Sequence, residues 1–437
     1  MARVVMLLHN AFTQDPRVDR EAKALVRAGH DVTVVATWEP ATTPKTETRD
    51  GYRIRRVSRR AFGVDLITSR FERVIGPDAW ATSHKAVATP AGASRKRGPA
   101  IVRIPILSAR RALRGLPTAK AAIRWRMALA AWRMRPDVVH AHDLNTLEAA
   151  ARAARWSRAK LVYDSHEISP GLPSVRDPEQ VIRVERALIG RADVVIHTTP
   201  MRAAWAADTY RITMPAVIRN VPERVGAVTP VDLASAAGFA PGTTVIMHQG
   251  YMQPNRGLEA MIEAMSSLDG YGLLMLGGGR QRPVLEKMAA DRGLHDRVVF
   301  RDPVPHDELL GWTAGAWCGV SLLVDTCLNH KYSLPNKLFE YIAVGVPLIA
   351  SDNPEIAAFV SEHRCGELCD PTDAVSIVAA VRRLAERHDE AARAALEAGE
   401  RYRWENEEAK LVELYARLLP GAPVSAASPA ASTPEGS

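Results

Sequence analysis

At 437 residues the chain is too long for one ordinary domain and predicts two, with extensions. Apolar residues at 47% and charged residues at 24% are the balance of a globular protein with a sizeable core, which excludes a disordered or collagen-like chain. The net charge of +8 is regional: residues 79–136 hold thirteen Lys or Arg and no Asp or Glu, leaving 44 basic against 49 acidic residues elsewhere, a net of −5.

No apolar run approaches the ~20 residues of a membrane-spanning helix. "MARVVMLLHNAF" reads as a first strand and not as a signal peptide. A helix follows over "DPRVDREAKALVRAGH", where Ala22, Leu25 and Val26 keep helical spacing and Gly29 stops it. "DVTVVAT" is the next strand. Beyond the basic insertion come the strand "DVVHAHD", a helix from about Leu144 to Arg155, and the strands "KLVYDSHE" and "ADVVIHTTP". Thr199-Pro200 then caps and opens another helix.

Residues 221–243, rich in Pro, Gly and Ala, interrupt the rhythm as a linker. The alternation restarts with "TVIMHQG", a helix from about Arg256 to Met265, "YGLLMLGGG", "RVVF", "WCGVSLL", the helix in "SLPNKLFEYIAVG" and "VPLIAS". Strands alternating with helices predict an α/β fold with parallel sheets. We expect one domain over 1–220 and a second over 244–400. A final helix over 401–418 and a low-complexity, disordered tail over 419–437 complete the chain.

Ligands of such proteins sit outside the carboxyl ends of the strands, in the crevice between domains. In the first domain that rule selects His9, Asn10, His142, Asp143, His166 and Glu167. In the second it selects Gln249, Gly250, Gly277–Gly279 and the loop carrying Ser333 and Leu334 into the next helix. "LMLGGGR" is not a dinucleotide fingerprint. It is either a strand exit where a nucleotide meets backbone at Gly278 or an ordinary tight turn. Arg256 stands at a helix start, where the dipole is already positive, so it is either solvated or paired with a bound anion such as a diphosphate. Lys337, beside Asn336, repeats the conflict one helix later, and Glu340 is placed to accept from a ribose hydroxyl pair. A plain surface ion pair between Lys337 and Glu340 is the bland alternative.

His140, His142, His166, Asp143 and Glu167 cluster near strand ends, but their spacing is not that of known zinc sites. No Asp-x-Asp pair occurs, so no metal and no other cofactor is expected. Cys318, Cys327, Cys365 and Cys369 read as reduced, packed thiols of a cytosolic protein.

Together "DPRVDREAKALVRAGHDVTVVA", "DVVHAHD", "VYDSHE", "VIRNVPE", "HQGYMQPNRGLEAMIEA", "LLMLGGG" and "LPNKLFEYIAVGVPLIAS" resemble the glycosyltransferases of family 4 (group 1), over roughly residues 1–418. The resemblance implies the GT-B fold: two Rossmann-like domains with parallel sheets facing across a cleft. It also implies a nucleotide-sugar donor held mainly by the second domain, transfer to a hydroxyl acceptor with retention of configuration, and independence of metal. The final helix is expected to cross back onto the first domain.

Glu340 matches the last Glu of the family's E-x7-E motif, which binds the ribose, while Tyr332 stands where the first Glu belongs. In the diphosphate loop Gly250-Tyr251 replaces Gly-Arg and Arg256 replaces the Lys, so Lys337 is the expected substitute for the missing cation. His166 matches the His that contacts the donor sugar. "HNAFTQDPRV" replaces the usual Gly-rich first loop, with Asn10, Asp15 and Arg17 as candidates to shape the acceptor side. His166, Arg256 and Lys337 are thus the expected catalytic residues. Other readings are a nucleotide-sugar 2-epimerase and a non-catalytic scaffold. The basic stretch reads as contact with an anionic membrane or as an ordinary Arg-rich insertion, and no module for nucleic-acid recognition accompanies it. A cytoplasmic protein, peripheral on the inner face of the membrane, follows from the membrane reading.

Overall fold

A computed structural model describes residues 1–13, 15–59 and 119–419. Residues 79–118 of the basic stretch, and all but the first residue of the tail expected to be disordered, lie outside the described residues.

Among the described residues the first sheet has eight strands, β1 (Arg3–Leu7), β2 (Asp31–Trp38), β3 (Thr46–Arg49), β4 (Tyr52–Ser58), β5 (Val138–His142), β6 (Lys160–Ser165), β7 (Val194–His197) and β8 (Ala216–Val217). Their order is β3-β4-β2-β1-β5-β6-β7-β8, and only the β3–β4 pair at the edge is antiparallel. The second sheet comprises β9 (Thr244–Gln249), β10 (Tyr271–Leu276), β11 (Val298–Arg301), β12 (Cys318–Ser321), β13 (Leu348–Ser351) and β14 (Gly366–Cys369). It is wholly parallel, in the order β11-β10-β9-β12-β13-β14. The chain reverses its direction of sheet growth between β1 and β5 in the first sheet, and between β9 and β12 in the second. Crevices open at these two places, because the connections leave toward opposite faces.

Local chemistry sets the helix bounds. Asp15 accepts from the Val18 N–H and Pro16 opens the first turn of the Pro16–Arg27 helix, while Gly29 (φ 83°) turns the chain out of it. The helix expected from about Arg256 begins at Leu258, because Asn255 (φ 64°) and Gly257 (φ 60°) both adopt left-handed backbone. Gly257 has no room for a side chain: a Cβ would lie 2.7 Å from Leu322 Cβ and from the Pro371 carbonyl. Pro335 is the cap residue of the Asn336–Ala343 helix.

The Trp404–Leu418 helix leaves the second domain and buries Trp404, Leu411, Tyr415 and Leu418 among Val4, Leu25, Val32 and Ile218 of the first. The Trp404 N–H donates to the Pro222 carbonyl at 2.7 Å, and Glu407 accepts from the Arg219 N–H at 2.9 Å. Trp404 is 1% exposed, so Trp404→Ala should lower the free energy of unfolding by about 3–5 kcal/mol, measured by chemical denaturation.

Candidate active site

The first domain's contribution is a buried polar chain that surfaces at one imidazole. Arg17 is 3% exposed and grips Asp164 with two donors, Nε to Oδ2 at 2.9 Å and Nη2 to Oδ1 at 2.8 Å. Its Nη1 donates to the Ile218 carbonyl, and its Nε lies 3.0 Å from Glu21 Oε1. Asp164 Oδ2 also receives His166 Nε2 at 3.0 Å, and His142 Nδ1 lies 3.2 Å from the same His166 nitrogen. Behind them His140 stacks on His142 at 4.4 Å between ring centres, and its Nδ1 is 2.9 Å from the Tyr415 hydroxyl.

Burial opposes charge on Asp164, but Arg17 and then His166 hold it well below the usual carboxylate range. Burial and the neighbouring Asp164 charge push Glu21 up to about 8. Burial alone would discharge His166, yet Asp143 and Asp164 outweigh it and raise the ring to about 9. His142 is lowered by its burial, so at neutral pH it is the neutral member and His166 the cation.

Asp143 completes the cradle. Its φ of 62° and ψ of 164° fall in a region that only glycine enters without strain, and the backbone is held there by the bond from Asp143 N–H to the Asp164 carbonyl. That conformation turns the Asp143 carboxylate onto His166, with Oδ1 accepting from the backbone N–H at 3.0 Å and Oδ2 lying 3.5 Å from Nδ1. Asn10 does not point into the crevice with them: its side chain bonds Asp15 and the Phe12 N–H, building the loop after β1. Arg17, a candidate for the acceptor side, is interior and acts on the site through Asp164.

Among the described residues Glu21, His140, His142 and Asp164 place ligand-type atoms within 4.8 Å of one another, a set with the look of a metal site. Arg17 already puts a guanidinium between the two carboxyl groups, 2.8 Å from Asp164 Oδ1 and 3.0 Å from Glu21 Oε1.

The second domain's half surrounds the exit of β9. Lys337 and Glu340 form no ion pair with each other. Glu340 accepts from Gln249 Nε2 at 2.6 Å, and Gln249 is fixed in turn by Thr313 Oγ1 at 2.9 Å. The Lys337 ammonium instead lies 3.5 Å from His248 Nδ1. Burial, and then the nearby charge of Arg256, lower Lys337 to about 7 against the pull of Glu340. Burial, Lys337 and Arg256 together keep His248 well below its usual range. Lys337 and Arg256 therefore share this region without an ion-pair contact among the described residues, Lys337 drawn by Glu340 and Arg256 by Glu167 of the first domain. Leu334 is buried behind this helix start, Ser333 N–H bonds back to the His330 carbonyl, and Asn336 is exposed.

The glycine run after β10 has a reason of its own. A Cβ on Gly277 (φ 144°) would lie 2.1 Å from the Gly250 carbonyl, and one on Gly279 (φ 140°) 2.2 Å from that of Met252. Met252 N–H donates to the Gly278 carbonyl at 2.7 Å. Two of the three glycines thus let one strand exit lie on the next. Gly278 and Gly250 (φ 108°) face open space and remain the places where a ligand can approach backbone.

A seam joins the halves beside His166. Asn329 Oδ1 accepts from the Ile168 N–H at 3.0 Å and from Arg202 Nη2 at 2.8 Å, and Arg202 Nη1 donates to the His166 carbonyl. Thr199 Oγ1 donates to the carbonyl of Tyr332, the position of the missing Glu. Arg202 and Asn329 carried no motif in the sequence; only the fold brings them together.

Two family models match the chain: "Glycosyl transferase 4-like domain" over residues 14–220 and "Glycosyl transferases group 1" over 243–387. The chain belongs to the group 1 glycosyltransferases. It is 26% identical over 309 residues to a D-inositol 3-phosphate glycosyltransferase of Acidothermus cellulolyticus, covering 65% of this chain and 67% of that one. It is 28% identical over 287 residues to the lipopolysaccharide core biosynthesis glycosyltransferase LpsD of Rhizobium meliloti, covering 63% and 72%. In fold it is similar to sucrose-phosphate synthase of Thermosynechococcus elongatus (TM-score 0.69, 17% identity, 96% of this chain and 99% of that one). It is also similar to Anabaena HepE in complex with UDP-glucose (TM-score 0.67, 15% identity, 95% and 100%). These are GT-B glycosyltransferases, so this chain has that fold: two Rossmann-like domains with parallel sheets.

Because Glu21 gains a proton on folding, the folded chain holds a proton between about pH 4.5 and about 8 that the unfolded chain gives up, and this group removes stability as pH rises. Glu21→Gln should flatten that decline, checked by denaturant unfolding of both proteins at about pH 5 and about pH 8.

Proposed function

We propose that the chain transfers a sugar from a nucleotide-sugar donor to a hydroxyl acceptor with retention of anomeric configuration and without a metal. The observation that carries this reading is the Lys337 ammonium, 3.5 Å from His248 Nδ1 at the exit of β9, with Arg256 near enough to oppose its charge. A departing nucleoside diphosphate is the ligand that satisfies both cations, and stabilising its growing charge is the largest electrostatic contribution open to such a site. Glu340, already an acceptor for Gln249, would exchange that bond for one from the ribose. Gly250 and Gly278 leave backbone accessible to the nucleotide.

The charge on His166 sharpens its part. A cation beside a sugar that is itself becoming cationic is repelled, so His166 serves as a hydrogen-bond donor to donor oxygens. Its Nδ1, 3.5 Å from Asp143, is the nitrogen left for that bond. Asp143, His142 and Asp164 orient the ring. Relatives named glycosyltransferases, and a neighbour named sucrose-phosphate synthase, disfavour the epimerase reading and favour acceptors that are phosphorylated polyols or glycans.

Release of nucleoside diphosphate from a panel of UDP-, GDP- and ADP-sugars tests the assignment. Arg256→Ala and Lys337→Ala should each lower kcat/KM by about 10²–10³; wild-type turnover and donor affinity in both would sink it, and no release from any donor would support the scaffold reading. Because Lys337 is half-charged near pH 7 and an anion must find it charged, the donor KM should climb up to tenfold per pH unit above about 7. Lys337→Arg, always charged, should abolish that climb.

A further inference from the structure

Three tryptophans of the first domain face outward. Trp125, Trp132 and Trp156 are 44%, 42% and 38% exposed. The first two stand seven residues apart on the Ala119–Arg133 helix and so share a face. The other face of that helix buries Ile123, Met127, Ala128 and Ala131 in the core. Trp156, from the last turn of the Leu144–Ser157 helix, joins the pair with its ring 5.6 Å from Trp125 and 6.2 Å, edge-on, from Trp132. The Arg152 guanidinium sits 4.4 Å above Trp125.

The charge around the rings has one sign. Glu148 is neutralised by Arg124 at 2.7 Å and Arg152 at 2.9 Å. Arg133 and Arg155, next in sequence to Trp132 and Trp156, have no carboxylate partner among the described residues, nor do Arg135 and Arg158. Single exposed apolar residues need no explanation, but two indole rings bridged by a third within a cationic field do. Indole is apolar over most of its area with one polar N–H, which suits it to the boundary between lipid headgroups and acyl chains. Arginines beside it add attraction to anionic headgroups. No helix among the described residues is long and apolar enough to cross a membrane, so contact would be made by this face lying on the surface.

We propose that the Trp125–Trp132–Trp156 face docks the first domain on an anionic lipid bilayer. This goes beyond the transferase reading, and its test requires no catalysis. Vesicles of phosphatidylcholine, with and without about a third phosphatidylglycerol, are pelleted with the full chain at about 50 and about 500 mM salt. The protein should pellet with the anionic vesicles only, less so at high salt, and brominated lipids should quench its tryptophan fluorescence. Trp125→Ala/Trp132→Ala/Trp156→Ala should lower the bound fraction at least tenfold with unchanged circular dichroism. Should that variant misfold, Arg133→Glu/Arg155→Glu keeps the rings and should lose binding to the same degree. The proposal is overturned by absence of pelleting at low salt or by undiminished binding of both variants. It is equally overturned by a dimer-to-monomer shift in the tryptophan variant, which makes the face a self-contact, or by capture of nucleic acid in place of vesicles.

Discussion

The Asp164 carboxylate is the group on which the first half of the site rests. It is buried, and an isolated charge there would be expelled as its conjugate acid. Arg17 prevents this with two charge-assisted bonds, and the anion so retained keeps a proton on His166. Each member is explained by the next: the helix after β1 supplies the guanidinium, β6 the carboxylate, and the end of β6 the imidazole. Removing one partner of such a buried pair leaves the other uncompensated, which makes this chain of groups a structural commitment as well as a chemical one.

The second domain solves the opposite problem. There Arg256 and Lys337 are brought together with no carboxylate in ion-pair contact among the described residues, and burial leaves Lys337 close to losing its proton. Holding positive charge this way costs stability in the free protein. On the proposed reading an arriving diphosphate recovers that cost, so affinity and strain are two faces of one arrangement. Thr313, Gln249 and Glu340 form a connected line beside the cations, which keeps the Glu340 carboxylate on Gln249 and out of ion-pair contact with Lys337.

The alternation of apolar runs with amphipathic helices made the two parallel sheets legible, because buried strands need nothing from distant sequence to announce themselves. The strand-end rule picked out His142, Asp143, His166, Gly250 and Gly278 for the same reason. Arg17 stood in a recognisable motif, yet its partner is 147 residues away, and no periodicity encodes such a pairing. Asn10 had the right position and the wrong direction, since an Asx turn used its side chain locally. The Arg202–Asn329 seam was silent, being an accident of how two domains face each other. The glycines after β10 were visible as a turn, but their purpose lay in the neighbouring strand exit.

The last helix carries one consequence further. Tyr415 reaches His140, which stacks on His142, which touches His166. The hydroxyl that completes the interior of the first domain is thus supplied nearly 200 residues after that domain's sheet is finished. During synthesis the first sheet must wait, with Val4, Leu25 and Ile218 uncovered, until the whole second domain has left the ribosome. The order of the chain therefore delays closure of the His166 side until both halves of the cleft exist, a built-in sequence of assembly in which the first half is not finished alone.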